Sequence, residues 1–109
     1  MTQYEIRWAT LSSPVGHRPV LLLTRPVAYE YLTKVVVAEV TTRVHGIPQE
    51  VALGRDEGLD RPSVANLDNL HVVPKGQLGE AIGMLKGPRH REVKRALGYV
   101  LDWPELKMV

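Results

Sequence analysis

The chain has 109 residues, 44% hydrophobic and 24% charged, the balance of one soluble globular domain around a single core. Phenylalanine and cysteine are absent, so the core must be aliphatic, and disulfides, thiol nucleophiles and zinc–thiolate sites are excluded. Lys plus Arg number 14 against 12 Asp plus Glu, a formal charge of +2, which permits an anionic partner without demanding one.

Met1-Thr2-Gln3-Tyr4-Glu5 has no basic start leading into an apolar run, so no signal peptide is expected. The apolar run at 20–23 is far too short to span a membrane, and a cytoplasmic location is the expectation. Residues 4–8 alternate in character and suit a first strand. Residues 12–16 (Ser-Ser-Pro-Val-Gly) are a turn-rich loop. Residues 18–24 form an apolar run that fits a strand buried on both faces, with Pro19 confined to its start because it cannot donate to a ladder. A helical turn is expected at 28–33. The β-branched stretch 34–41 is a further strand, and 49–53 another after the Gly46-Ile47-Pro48 loop. Two strands, 63–67 and 69–73, flank Asp68. Residues 74–85 contain Gly76, Gly79 and Gly83 and read as a turn followed by a short last strand.

Gly87-Pro88 places proline where a helix can begin. Val93, Ala96, Leu97, Val100 and Leu101 then recur at helical spacing, with Arg89, Arg91, Lys94 and Arg95 on a solvated outer face. His90 is placed on that helix surface, and Pro104 ends the helix. Gly98 within it costs roughly 1 kcal/mol relative to alanine and marks a close contact. Five to seven short strands and one terminal helix make a small curved antiparallel barrel with the helix on its side, one domain over 1–109.

Several segments together carry a resemblance. Arg18-Pro19-Val20-Leu21-Leu22-Leu23-Thr24 resembles the second strand of MazF/PemK toxins. Val37-Ala38-Glu39-Val40-Thr41-Thr42-Arg43 looks like that family's next strand, which ends in a threonine pair. Residues 58–70 are similar to a later block in which an aspartate precedes an amide, and 78–85 to the segment before the terminal helix. The resemblance spans nearly the whole chain in order. It implies an SH3-like barrel with a C-terminal helix, forming a two-fold homodimer. The implied activity is endoribonuclease cleavage of single-stranded RNA, leaving a cyclic phosphate and a free 5′-hydroxyl. The implied partner is a cognate antitoxin whose partly disordered tail blocks the RNA groove.

RNA brings its own nucleophile, the 2′-hydroxyl; the protein must move two protons and steady charge on phosphorus. The sequence has no HxxxH pattern and no dense carboxylate cluster, so neither a metal nor another cofactor is expected. Arg18 offers five donors in a planar fork matching a phosphate. The resemblance adds a proton-transfer role there; the alternative is an arginine that only starts a strand. Thr41 matches the family's catalytic threonine, although a threonine ending a β-branched strand is also what propensity dictates. Of Thr42 and Arg43, one should contact phosphate and the other support the loop. His17, beside Arg18, is the intrinsic acid–base candidate, set against a solvated loop histidine. His45, after Arg43, could touch RNA.

Asp68 matches the family's acidic position. One branch has an arginine two residues earlier, where this chain has Asn66, which weakens a carboxylate–arginine mechanism. Asn66 and Asn69 can read base edges, or Asn66-Leu67-Asp68-Asn69 can simply turn the chain. The loop at 11–17 is shorter than the family's usual glycine-rich, acidic loop. Two other readings stay open. One is a gyrase-inhibiting toxin on the same fold, against which Trp103 is followed by Pro104 rather than by terminal Gly-Ile. The other is a non-catalytic SH3-like binding module.

Overall fold

A computed structural model describes all 109 residues. Six strands, β1 (Glu5–Thr10), β2 (His17–Leu22), β3 (Lys34–Thr41), β4 (Glu50–Leu53), β5 (Ser63–Pro74) and β6 (Leu78–Met84), precede two helices, α1 (His90–Leu101) and α2 (Pro104–Lys107). The strands form one antiparallel sheet in the order β4-β5-β3-β2-β1-β6. The helical turn expected at 28–33 is a 3-10 turn at Pro26–Glu30.

The period-two alternation of the strands divides the core in two. On one face Ile6, Leu21, Ala38, Val40, Ala65 and Leu67 pack with Val93 and Ala96 of α1. On the other, Val20, Leu22, Val35, Val37 and Val73 pack with Leu11 and Tyr29. Leu21 belongs to the first cluster and Val20 and Leu22 to the second, so β2 is buried on both faces, as its unbroken apolar run predicts.

The sheet is barrel-like but not closed by hydrogen bonds, since β4 and β6 are its two edges. The gap is bridged by the 3-10 turn Arg55–Glu57, which presses its end onto β6. A β-carbon on Gly58 would collide with the Ile82 carbonyl, and one on Gly83 with the Glu57 carbonyl. Glycine at both positions is what lets the two backbones meet.

Three expectations change. The two strands drawn around Asp68 are one, β5, interrupted by a bulge: its pairing with β3 steps from Ala38↔Leu70 to Glu39↔Asn66. There the Asn66 side-chain oxygen accepts the Asp68 N–H at 2.9 Å, a local bond that replaces a ladder bond. Pro104 does not merely end a helix. α1 stops at Asp102, which is left-handed (φ 53°), and Pro104 opens α2, which folds back onto Gly98. The N-terminal end of α1 is also not a plain solvated face. Arg89 turns inward to the Ala52 carbonyl (2.6 Å), Glu92 (2.7 Å) and Glu57 (3.3 Å). His90 is half-buried, stacked on Tyr4 with ring centroids 3.5 Å apart and its Nε2 2.6 Å from the Leu85 carbonyl.

Candidate active site

β2 and β3 run antiparallel with Val20 opposite Glu39. Two residues beyond that pair on each strand, Arg18 at the start of β2 and Thr41 at the end of β3 line the same groove. Across β3, Glu39 pairs with Asn66 of β5. Register alone thus collects side chains separated by almost 50 positions at one end of the sheet. They line a groove of about 700 Å³ formed by Arg18, Glu39, Thr41, Thr42, Arg43, His45, Asn66 and Asn69, with Pro14 and Val15 from the β1–β2 loop.

Arg18 dominates it. The side chain is 32% exposed, one terminal nitrogen lies 3.6 Å from Glu39 Oε1, and its buried Nε has no partner. The guanidinium is therefore only loosely held within the protein, and donors remain for an anionic ligand. The Thr41 hydroxyl accepts the Arg43 N–H at 3.1 Å, which leaves its own proton to donate. The next side chain turns to the other side of the strand end, so Thr42 also lines a second hollow of about 470 Å³ with Trp8, Pro19, Arg61 and Ile82.

The loop carrying Arg43 and His45 is anchored by Glu50 at the start of β4. Its carboxylate accepts the N–H groups of Gly46 (2.9 Å) and His45 (3.1 Å) and lies 3.2 Å from His45 Nδ1. Burial pushes the Glu50 carboxyl up, but these donors outweigh it and hold it below the usual carboxylate range.

Seven of the residues singled out from the sequence meet in the groove: Arg18, Thr41, Thr42, Arg43, His45, Asn66 and Asn69. Two do not. His17 stacks on Trp8, with ring centroids 4.8 Å apart and planes at 7°, beside a separate hollow that includes Gly79. Strand alternation turns consecutive residues to opposite faces, so adjacency to Arg18 in sequence takes His17 away from it. Asp68 is exposed in the β5 bulge and does not line the groove. Two further residues belong here. Glu39 lines the groove, and His71 reaches Glu39 Oε2 with Nε2 at 2.6 Å. The period of two in Val35, Val37, Glu39 and Thr41 is the signal that places Glu39 on the face of Thr41.

Two arginines, two threonine hydroxyls and two carboxamides thus line one open groove on a small antiparallel sheet backed by a helix, an arrangement suited to an anionic ligand. Residues 2–101 match the family described as PemK-like, MazF-like toxin of type II toxin-antitoxin systems, and the chain belongs to that family. It is 42% identical over 88 residues to endoribonuclease MazF3 of Mycobacterium tuberculosis, covering 79% of this chain and 85% of that protein. Among solved structures it is similar to the Mycobacterium tuberculosis toxin MazF-mt6, with TM-score 0.85 and 39% identity over 90% of this chain and 96% of the other. An endoribonuclease in complex with its cognate antitoxin, from a mycobacterial species, shares the fold with TM-score 0.82 at 24% identity, over 95% of this chain and 97% of the other.

Proposed function

We propose that this chain is an endoribonuclease toxin that cuts single-stranded RNA at a short sequence without a metal ion. The RNA's 2′-hydroxyl attacks the adjacent phosphorus, leaving a 2′,3′-cyclic phosphate and a 5′-hydroxyl. The observation that carries this reading is the one open groove that Arg18 of β2 and Thr41 of β3 share with Arg43. The ribonuclease names of its relatives support it.

Attack raises the charge on the phosphoryl oxygens, so groups that hold those oxygens more strongly in the transition state than before it lower the barrier. Arg18 serves as a permanent cation with a planar fork for two of them. The Thr41 hydroxyl donates to the same group, with its lone pair already engaged by the Arg43 N–H. Arg43 and Thr42 guide the neighbouring phosphate and shape the loop. Asn66 and Asn69 carry both donors and acceptors and read the edges of unstacked bases. Asp68, on the exposed bulge, acts at the rim; His17 works from the Trp8 side. The chain acts in the cytoplasm as a homodimer, to which the apolar Leu70 and Val72 left exposed on β5 are suited. A cognate antitoxin, bound over the groove, silences it.

The test is cleavage of a mixed-sequence single-stranded RNA in EDTA, with wild type and Arg18→Ala side by side. Wild type should cut at a defined short sequence and leave 5′ ends that a kinase labels without prior phosphatase treatment. Arg18→Ala should leave the RNA intact. Intact RNA with folded, antitoxin-free wild type would remove the enzyme reading.

A further inference from the structure

The groove contains a carboxylate that phosphate binding alone does not explain. Glu39 is the one acidic side chain lining it, and it is 12% exposed. A carboxylate there repels the RNA backbone, so a groove built only to bind would gain from an amide at this position. Cleavage, however, needs a base for the 2′-hydroxyl, and the other lining groups are poorly suited to be one. Arg18 and Arg43 stay protonated at any working pH. Thr41 is a weak base without help. His45 stands out in the loop with its side chain 55% exposed, away from the Arg18 guanidinium that pairs with Glu39.

We propose that Glu39 is the general base of the reaction, with His71 as the residue that positions it. The inference rests on the ribonuclease reading above. His71 stands on β5 opposite Val37, two residues from Glu39 along β3, and its Nε2 meets Glu39 Oε2 at 2.6 Å. That bond fixes one carboxylate oxygen. The other, Oε1, lies 3.6 Å from the Arg18 guanidinium. This is an ion-pair distance but too long for a hydrogen bond, so Oε1 keeps its lone pairs for another donor. It also keeps that oxygen beside the cation that receives the phosphate.

The 2′-O–H bond breaks and its proton passes to Glu39 Oε1. The 2′-oxygen bonds to phosphorus, and the P–O5′ bond breaks with its electron pair going to O5′. Water in the open groove protonates O5′, and the resulting hydroxide takes the proton back from Glu39. The charged or titratable groups facing Glu39 are Arg18 from β2, His71 from β5, and Arg43 and His45 from the loop after β3.

Glu39→Gln keeps the size of the side chain and removes its basicity. We expect cleavage to fall about 10²- to 10⁴-fold, with the acidic limb of the pH–rate profile lost. Binding of the same RNA carrying one 2′-deoxynucleotide at its cut site should be unchanged or tighter, and the melting temperature should stay close to wild type. His71→Ala should lower kcat while leaving KM for the RNA unchanged, the pattern of an interaction used only in the transition state; His71→Gln, which can still donate, should restore part of the rate. A purely structural His71 would move KM and the melting temperature together with kcat. Glu39→Gln cleaving within about threefold of wild type, a range well short of a lost general base, would overturn the assignment, as would loss of cleavage and binding together. If the Glu39→Gln variant folds poorly, the His71 variants decide, and a His71→Gln rate no higher than that of His71→Ala overturns it. Wild type that cuts no RNA at all would overturn the ribonuclease reading itself, whereas an active Glu39→Gln overturns only this one.

Discussion

Gly58 and Gly83 meet backbone to backbone where the turn after β4 touches β6, and neither position has room for a β-carbon. This contact stands in for the hydrogen bonds that would close the barrel. Gly58 is additionally left-handed, at φ 92°, where a side chain is strained whatever the space. The obstacle at Gly83 is the Glu57 carbonyl, part of a turn pinned by the Glu57 carboxylate on the Gly54 N–H at 2.7 Å, so it cannot retreat cheaply. Gly83→Ala should therefore destabilise the fold by about 1–3 kcal/mol, the usual range for overpacking. Urea denaturation checks this; a wild-type midpoint would mean that the two edges are free to part.

Thr41 offers a cleaner separation of chemistry from folding. Thr41→Val keeps the β-branch that suits the end of β3 and removes only the hydroxyl. Stability should move little, since the one bond lost is that from the Arg43 N–H in an exposed loop. Cleavage should fall about 10²- to 10³-fold, the usual cost of one donor to a developing oxyanion. Thr41→Ser should retain most of the rate. Single-turnover cleavage of the three proteins makes the comparison, and equal rates for Val and wild type would remove Thr41 from the chemistry.

The parts of this molecule legible in its sequence are those set by local periodicity. The run of β2 announced burial on both faces, and the spacing of Val93, Ala96 and Val100 announced one buried face of α1. Gly98 announced a close neighbour, and α2 is that neighbour. What escaped was set by register between distant strands. Asp68 looked like a break between two strands because a bulge and a break share the same turn-forming residues. His17 looked like a neighbour of Arg18 because sequence adjacency hides the alternation that sends it to Trp8. Glu39 and His71 are 32 positions apart, and only the β3–β5 ladder brings them together.

The Glu50 anchor gives the loop beside the groove a defined pH response. Its folded carboxyl titrates below its ordinary 4.5 because the Gly46 and His45 donors outweigh burial. A lowered folded value contributes stability that is fully present above the ordinary value and is lost as pH falls through the folded one. Wild type should accordingly lose part of its stability below about pH 4.5, and Glu50→Gln should lose less over the same range. Glu92 is lowered as well, chiefly by its hydrogen bond from Arg89, so the acid response will not vanish in the variant. The difference between the two proteins isolates Glu50. At neutral pH, Glu50→Gln should also speed amide exchange at His45 and Gly46, the two donors it weakens. Unchanged exchange there would show that the loop holds itself without the carboxylate.

Gly98 allows a prediction in which two effects of opposite sign compete. On an exposed helix, replacing glycine by alanine stabilises by about 1 kcal/mol through backbone entropy. Here a β-carbon would lie 2.7 Å from the Lys107 backbone nitrogen and 2.9 Å from both the carbonyl carbon and the β-carbon of Leu106. Two of those atoms are backbone of α2, which is tied to α1 by the Trp103 N–H on the Gly98 carbonyl (2.8 Å) and by Lys107 on Asp102 (2.8 Å). The crowding should win, and Gly98→Ala should be destabilising in the full chain. In a chain ending at Asp102 the obstacle is gone, and the same substitution should become stabilising by the propensity term alone. Thermal melts of the four proteins, with and without residues 103–109, test the reversal. The same sign in both backgrounds would show that α2 moves aside freely and that the close approach at Gly98 contributes nothing to holding it.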